Sequence, residues 1–279
     1  MSQLSHLWKA TYCMSQSTVP VSETTQNAAL IPPWMLVIIA VLSVQIGAAT
    51  AKGLFDTVGP SGVVFLRTLL SGLMFLAIWR PSLRGYSRQA YIYIVLYGII
   101  IAAMMLSFYA AIDRIPLGIT VAIAFAGPLG VAISSSRRPI DLFWVALATT
   151  GILLLSPFTD VKLDPPGMLL ALLSALLWAI YILLTKRVNQ VVPGSATLAL
   201  AMGVAALFSL PFGISGAVKL LSNPSQIILA LVVALLSSAI PFWLEFRALK
   251  SLSPRVFGLL VSLEPVAAVV LGFVLLQET

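Results

Sequence analysis

One carboxylic acid interrupts the apolar stretch LLVSLEPVAAVVLGF, which runs from Leu259 to Phe273. Glu264 stands near the middle of this stretch, and Pro265 follows it directly. An acidic side chain at the centre of a membrane helix costs about 2.5–3.5 kcal/mol on insertion scales. Pro265 has no backbone N–H, so a carbonyl group one turn earlier loses its helical partner. Glu264 is therefore a candidate site for a proton or an ammonium group, and the alternative is a carboxylate that locks helix packing.

Arg67 is a charge of the opposite sign inside another apolar stretch. Its guanidinium can hold a carboxylate through two hydrogen bonds, a geometry that lysine cannot offer. A zwitterion presents one ammonium and one carboxylate, so an acid and a base on facing helices would suffice to bind it. Glu264 and Arg67 are therefore candidates for a shared site, with a structural ion pair as the alternative for Arg67.

Further polar and aromatic residues stand in apolar stretches, where they either line a path or join helices. Gln45 and Thr50 lie in the first stretch, and Trp178 and Tyr181 are three residues apart on one face of a later one. Three charges near the ends of stretches are expected to form a gate or structural ion pairs: Lys52, Lys186 and Glu245.

The composition shows what must surround these charges. Of 279 residues, 60% are hydrophobic and 9% are charged, more apolar surface than a soluble core can hide. Nine apolar stretches approach the length that crosses hydrocarbon, roughly 34–54, 61–79, 90–112, 116–135, 141–158, 167–186, 195–215, 225–246 and 255–276. Because amides in lipid must be bonded internally and the alternation of barrel strands is lacking, the sequence predicts an all-α polytopic membrane protein.

The basic residues predict how the chain is oriented. With the N-terminus in the cytoplasm, eleven of them fall on the cytoplasmic side: Lys9, Arg80, Arg84, Arg88, Arg137, Arg138, Lys186, Arg187, Arg247, Lys250 and Arg255. Only Arg114, Lys162 and Lys219 fall on the opposite side. This asymmetry predicts a cytoplasmic N-terminus, and the spread over several short loops argues against a nucleic-acid-binding face.

The sequence also matches itself at a spacing of about 135 residues. FYAAIDRIP, from Phe108 to Pro116, corresponds to FRALKSLSP, from Phe246 to Pro254. A second proline follows within each next span, Pro128 in the first copy and Pro265 in the second, and both are predicted to break or kink their helices.

The repeating unit has five spans, so the second copy enters the membrane from the opposite side. Inverted repeats are typical of secondary transporters, whose substrate site lies near the midplane between the halves. We expect a polar, disordered tail over 1–32, a first five-helix repeat over 33–158 and a second over 165–279. The second copy has only four spans before Thr279, so a ten-span fold is expected with its tenth span missing.

Several segments resemble the EamA-type branch of the drug/metabolite transporter superfamily. SLEPVAAVVLGFVLLQE is similar to the signature of the ninth helix in that family. SVQIGAATAKGLFDTVG, SSRRP, LLWAIYIL and SSAIPFWLE resemble members that export small neutral amino acids such as threonine and homoserine. The resemblance implies a secondary transporter of the bacterial inner membrane that takes an amino-acid substrate and protons and works by proton antiport.

Other classes of function are less well supported by the sequence. A drug or other metabolite exporter of the same superfamily and a non-transporting membrane scaffold stay open, because a fold does not fix a substrate. GISG, from Gly213 to Gly216, has the form of an intramembrane serine-protease nucleophile, but the only histidine is His6 in the tail. No metal-ligand cluster or phosphate loop occurs, so neither an enzyme nor a cofactor is expected. The single cysteine, Cys13, permits no intrachain disulfide.

Overall fold

The computed structural model describes residues 31–81, 85–115, 117–134, 164–192, 196–220, 224–261 and 263–264. The chain divides into two units, Met1–Pro32 and Pro33–Thr279, and the predicted tail lies almost wholly outside the described residues. In chain order the helices are α1 (Pro33–Trp79), α2 (Arg88–Ile112), α3 (Leu117–Ala124), α4 (Ala126–Ser134), α5 (Pro165–Val191), α6 (Ala196–Lys219), α7 (Pro224–Ala234), α8 (Ile240–Ser251) and α9 (Pro254–Val261). A π-helical turn, Leu235–Ala239, connects α7 directly to α8.

Several of these helices are long and apolar enough to cross a membrane. The described residues contain five such segments: Leu54–Trp79, Arg88–Ile112, Pro165–Val191, Thr197–Lys219 and Ser225–Ser251. Together with the absence of strands from the described ranges, they confirm the predicted all-α membrane fold. The count of nine spans and the inverted repeat stay predictions, because span 141–158 and the chain beyond Glu264 lie outside the described residues.

The first two predicted spans, 34–54 and 61–79, lie in two helical segments of α1 that follow one another directly across a kink. The break is at Gly59, whose φ of 70° lies in the left-handed region that favours glycine. Pro60 follows and starts the next helical turn with its fixed φ. The chain therefore changes direction at one glycine, whereas the predicted spans left the six residues 55–60 to connect them.

The fourth predicted span, 116–135, consists of two short helices. A turn at Phe125 separates α3 from α4, about one helical turn before Pro128. Main-chain bonds continue across the turn, from the Phe125 amide to the Val121 carbonyl at 2.9 Å and from the Leu129 amide to the Phe125 carbonyl at 3.2 Å. Main-chain hydrogen bonding is therefore continuous from α3 through the turn to α4. Pro265, the partner of Pro128 in the predicted repeat, lies outside the described residues.

Glycines bring the helices of the bundle into close contact. α1 packs against α6, and a Cβ atom at Gly216 would collide with the carbonyl oxygen of Val58. Gly213 likewise lies against the backbone of Ser61. Both glycines belong to the GISG sequence, so in this fold that sequence serves close packing between helices. Around this crossing, α2 packs against α5 and α6, α8 against α1, and α9 against α4.

Candidate functional site

Arg67 lies in the interior of the bundle, where its guanidinium bonds only to neutral groups. Its side chain is 7% exposed. Nε donates to the hydroxyl of Ser238 at 2.9 Å, and the other nitrogens donate to the hydroxyl of Tyr109 and the carbonyl of Ser237. Within the described residues, no carboxylate forms an ion pair with it. Arg67 is therefore a buried cation whose charge has no counter-ion among these groups.

The position of Pro241 explains why a backbone carbonyl is available to Arg67. In an α-helix, the Ser237 carbonyl would accept from the amide of residue 241, and proline has no N–H to give. In a π-helical turn, the Leu236 carbonyl would accept from the amide five residues later, which is again that of residue 241. It accepts from the Ser43 hydroxyl at 2.6 Å instead. Side chains of α1 thus bond both carbonyls that could have used an amide at position 241.

Tyr109 completes the surroundings of Arg67 with an aromatic ring. The guanidinium carbon lies 5.5 Å from the centroid of this ring, within the range of a cation–π interaction. Phe55 stacks against Tyr109, with centroids 5.6 Å apart. Sequence reasoning identified Arg67 and missed Tyr109, Ser237 and Ser238. A proline four residues after Ser237 was the available signal, because it frees a carbonyl in the middle of a membrane helix.

Glu264 also meets a neutral partner. The side-chain amide of Gln45 donates to Glu264 Oε1 at 3.1 Å, which joins α1 to the chain just beyond α9. Both residues were candidates from the sequence, and the structure brings them together. An amide hydrogen bond stabilises a carboxylate but does not cancel its charge. Like Arg67, Glu264 is therefore an ionisable group whose hydrogen-bond partner is uncharged.

Glu264 and Arg67 lie at similar depths in the bundle. Gln45 of α1 bonds Glu264, and Ser238, which bonds Arg67, is the neighbour of Ser237 in the chain. Gly47, two residues beyond Gln45, packs against the backbone of Ser237. Arg67 and Glu264 are therefore held by residues that lie at nearly the same level of the bundle, about one helical turn apart at most.

A second group of polar side chains lies nearer to the α8–α9 turn. The hydroxyl of Tyr181 donates to Glu245 Oε2 at 2.8 Å. The rings of Tyr181 and Tyr97 stack with centroids 5.6 Å apart, and the hydroxyls of Tyr97 and Thr185 lie 3.0 Å apart. This group, Glu245, Tyr181, Tyr97 and Thr185, connects α8, α5 and α2. Tyr97 and Thr185 were not identified from the sequence, which offered only their position in apolar stretches.

The remaining candidates have contacts within the helical framework. Lys186 donates to the carbonyl groups of Leu249, Lys250 and Leu252, so it caps the end of α8. The Thr50 hydroxyl donates to the Ile46 carbonyl of its own helix at 2.8 Å, and Trp178 packs against Phe125. The side chain of Lys52 lies outside the described part of the chain. In that part, no group of three or more His, Cys, Asp or Glu residues is arranged to hold a metal ion.

Comparison with known proteins relates this site to a family of transporters. The model of the EamA-like transporter family matches residues 165–279. The threonine/homoserine exporter RhtA of Escherichia coli K12 is 42% identical over 249 residues, covering 88% of this chain and 84% of that protein. The protein of the same name in Salmonella typhimurium LT2 is 41% identical over 249 residues, covering 88% of this chain and 84% of its own length.

More distant relatives have the same kind of name or fold. An uncharacterized transporter, YwfM of Bacillus subtilis, is 26% identical over 222 residues, covering 76% of this chain and 75% of its own length. One crystal structure shares the fold with a TM-score of 0.70 at 18% identity, covering 88% of this chain and 89% of that chain. These matches confirm the family predicted from the sequence motifs. The chain is a multi-pass membrane protein, and it belongs to the EamA-like transporter family.

Proposed function

We propose that the protein exports small neutral amino acids of the threonine and homoserine type in exchange for protons. The observation that carries this proposal is the pair of charges, Arg67 and Glu264, which lie at similar depth and bond to neutral groups. A zwitterionic amino acid would supply the missing counter-charge to both. The name of the relatives that are 42% and 41% identical supports this choice of substrate.

Each end of the substrate has its own partner in this proposal. The substrate carboxylate binds the guanidinium of Arg67, which offers paired N–H donors in one plane. The substrate ammonium binds the carboxylate of Glu264 in place of a proton. Because a bare carboxylate is costly in a site surrounded by lipid, Glu264 carries one or the other at every step. Competition for this one group couples export to proton entry.

The architecture that suits this cycle is the inverted repeat expected from the sequence. Contacts between helices support it, because α2 packs against α5 as α8 packs against α1, the pairing that the repeat would produce. We place the protein in the bacterial inner membrane with its N-terminus in the cytoplasm, and the uneven distribution of basic residues supports this orientation. Alternating access then exposes the level of Arg67 and Glu264 to one side at a time.

Counterflow of labelled threonine and homoserine in proteoliposomes tests the substrate, and transport driven by an imposed pH gradient in the same vesicles tests the coupling to protons. Glu264→Gln keeps the shape of the side chain and an oxygen that accepts from Gln45, so the protein should fold and insert. It should lose proton-driven transport, whereas Glu264→Asp should keep part of it with a displaced pH dependence. Asp113→Asn, an exposed carboxylate at the end of α2, is the matched control and should transport normally.

Three results would contradict the proposal. Normal proton-driven transport by Glu264→Gln would show that Glu264 only locks the packing of its helix. Transport of other metabolites but of neither amino acid, in a competition panel, would favour the drug or metabolite exporter. No flux of any substrate by correctly inserted protein would favour a membrane scaffold.

A further inference from the structure

Glu245 is a carboxylic acid with basic residues nearby, yet within the described residues it pairs with none of them. Lys186 donates to main-chain carbonyls at the end of α8. The guanidinium carbon of Arg247 lies 5.6 Å from the centroid of the Trp243 ring. The ammonium of Lys250 is likewise held over an aromatic ring of α8. The cations that might neutralise Glu245 are therefore engaged elsewhere.

A tyrosine takes the place of a cation beside Glu245. Tyr181 is 1% exposed, and its hydroxyl donates to Glu245 Oε2 at 2.8 Å. A hydroxyl can orient a carboxylate, but it brings no positive charge. In the low dielectric of a membrane protein, an uncompensated carboxylate is costly, and a bound proton removes that cost. The surroundings of Glu245 therefore suit a group that alternates between protonated and ionised states.

Glu245 also lies on the way from Glu264 to the end of the bundle. It precedes Ser251, the last residue of α8, by six positions, which places it about 9 Å from the α8–α9 turn. Glu264 is held near the level of Ser237 through Gln45 and Gly47, and Ser237 lies about two helical turns farther from that end than Glu245 does. α9, which leads to Glu264, packs against α8 and α5, the helices that carry Glu245 and Tyr181. Basic residues, Lys186, Arg247 and Lys250, mark this end, which the proposed orientation places in the cytoplasm.

We propose that Glu245 is a second proton-binding site, which carries the proton between Glu264 and the cytoplasmic end of the bundle. This inference rests on the proposed function, because it assigns the route of the proton that the exchange requires. The ionisable residues on α8 and on the helices that pack against it are Lys52, Asp56, Arg67, Tyr181, Lys186, Arg187, Arg247, Lys250 and Arg255, with Glu264 just beyond α9 and Tyr97 of α2 stacked on Tyr181. The set contains two other carboxylic acids: Glu264 follows α9, which packs against α8, whereas Asp56 lies beside the kink at Gly59.

The transfer leaves charge and atoms balanced. As the substrate ammonium arrives, the O–H bond of protonated Glu264 breaks, and its carboxylate pairs with the ammonium. The proton forms a new O–H bond on the Glu245 carboxylate, which Tyr181 holds in position. Glu245 then releases the proton to water at the cytoplasmic end and returns to its ionised state. One proton has moved inward for each amino acid bound.

Two assays on the same proteoliposomes separate this role from a structural one. Proton-driven transport of labelled threonine needs the complete route, whereas exchange of labelled for unlabelled threonine needs no net movement of protons. Glu245→Gln keeps an oxygen that accepts from Tyr181. It should slow proton-driven transport by about tenfold or more relative to exchange. Glu245→Asp should restore driven transport with a displaced pH profile, and Asp113→Asn should change neither assay.

The outcomes distinguish this inference from the proposed function. If the wild-type chain moves no protons with threonine, the proposed function fails, and the route fails with it. If the wild type is proton-coupled and Glu245→Gln has the same ratio of driven transport to exchange, only the role of Glu245 fails. If Glu245→Gln and Glu245→Asp both lose proton-driven transport and threonine exchange to the same extent, Glu245 is a packing residue, and the inference is overturned.

Discussion

The guanidinium of Arg67 donates a hydrogen bond to the main-chain carbonyl of Ser237. The two residues are far apart in the sequence, and Pro241, four residues after Ser237, has no amide to donate to that carbonyl. Arg67 is thereby held in place by backbone and hydroxyl groups that bring no negative charge. A ligand carboxylate can therefore bind an arginine that is already oriented and still uncompensated.

Blocking the substrate carboxylate should reveal the role of Arg67. Threonine amide should compete with labelled threonine about tenfold to a hundredfold more weakly than threonine does, because a hydrogen bond to a charged group contributes about 1.5–3 kcal/mol. Arg67→Gln should bind threonine weakly and discriminate little between the two compounds. Arg114→Gln, which removes an exposed arginine paired with Asp164, is the control and should discriminate as the wild type does. Unchanged discrimination in Arg67→Gln would place the carboxylate elsewhere.

Restoring the missing amide at Pro241 should weaken the position of Arg67. In Pro241→Ala, the new N–H competes for the carbonyls that Arg67 and Ser43 now use. We expect a higher KM for threonine and slower hydrogen exchange of the amides around residues 237–242. Pro211→Ala in α6 is the control, because Pro211 is an exposed proline inside a helix. A raised KM in both variants would show a general effect of removing prolines.

Close glycine contacts should make the crossing of α1 and α6 intolerant of a methyl group. Gly216→Ala places a Cβ atom against the Val58 carbonyl, so the backbones must separate. Overpacking of this kind costs about 1–3 kcal/mol, which should lower the melting temperature measured by fluorescence-detected gel filtration. Gly203→Ala in the same helix is the matched control, since nothing lies within 4 Å of the added atom. Equal stability of the two variants would contradict this account of the crossing.

Accessibility of single cysteines should establish the orientation. On a Cys13→Ser background, which removes the only cysteine, a cysteine at exposed Asp113 should react with an impermeant thiol reagent added outside intact cells. A cysteine at exposed Arg247 should react only after the membrane is opened. The reverse pattern would invert the proposed topology and place the α8–α9 turn outside.

Sequence alone predicted the class of fold and the two unusual charges, because both follow from local composition. A run of about twenty apolar residues needs a bilayer, and a charge inside such a run is conspicuous wherever it lies. Glu264 and Arg67 could therefore be identified without knowing their neighbours. Gln45 was chosen for its polarity alone, and its bond to Glu264 could not be foreseen.

The partners of these charges could not be predicted, because they depend on how helices distant in sequence align. Ser238 bonds Arg67 across 171 positions, and Gln45 bonds Glu264 across 219. Contacts of this kind are set by glycines that let backbones approach, and one turn of sliding would exchange every partner. The kink at Gly59 and the π-helical turn are further examples, since both change the direction of a helix without changing its apolar character.

The π-helical turn has a consequence for where Glu245 points. Residues seven positions apart, such as Ser238 and Glu245, lie on the same face of a regular α-helix. Here Ser238 meets Arg67 of α1, whereas Glu245 meets Tyr181 of α5. One extra residue in a π-helical turn rotates the residues after the turn by about 100° around the helix axis relative to those before it, and part of this rotation falls between Ser238, inside the turn, and Glu245. The segment formed by α7, the π-helical turn and α8 therefore contacts α1 through Ser238 and α5 through Glu245. Removing one residue from Leu235–Ala239 would rotate Glu245 away from Tyr181.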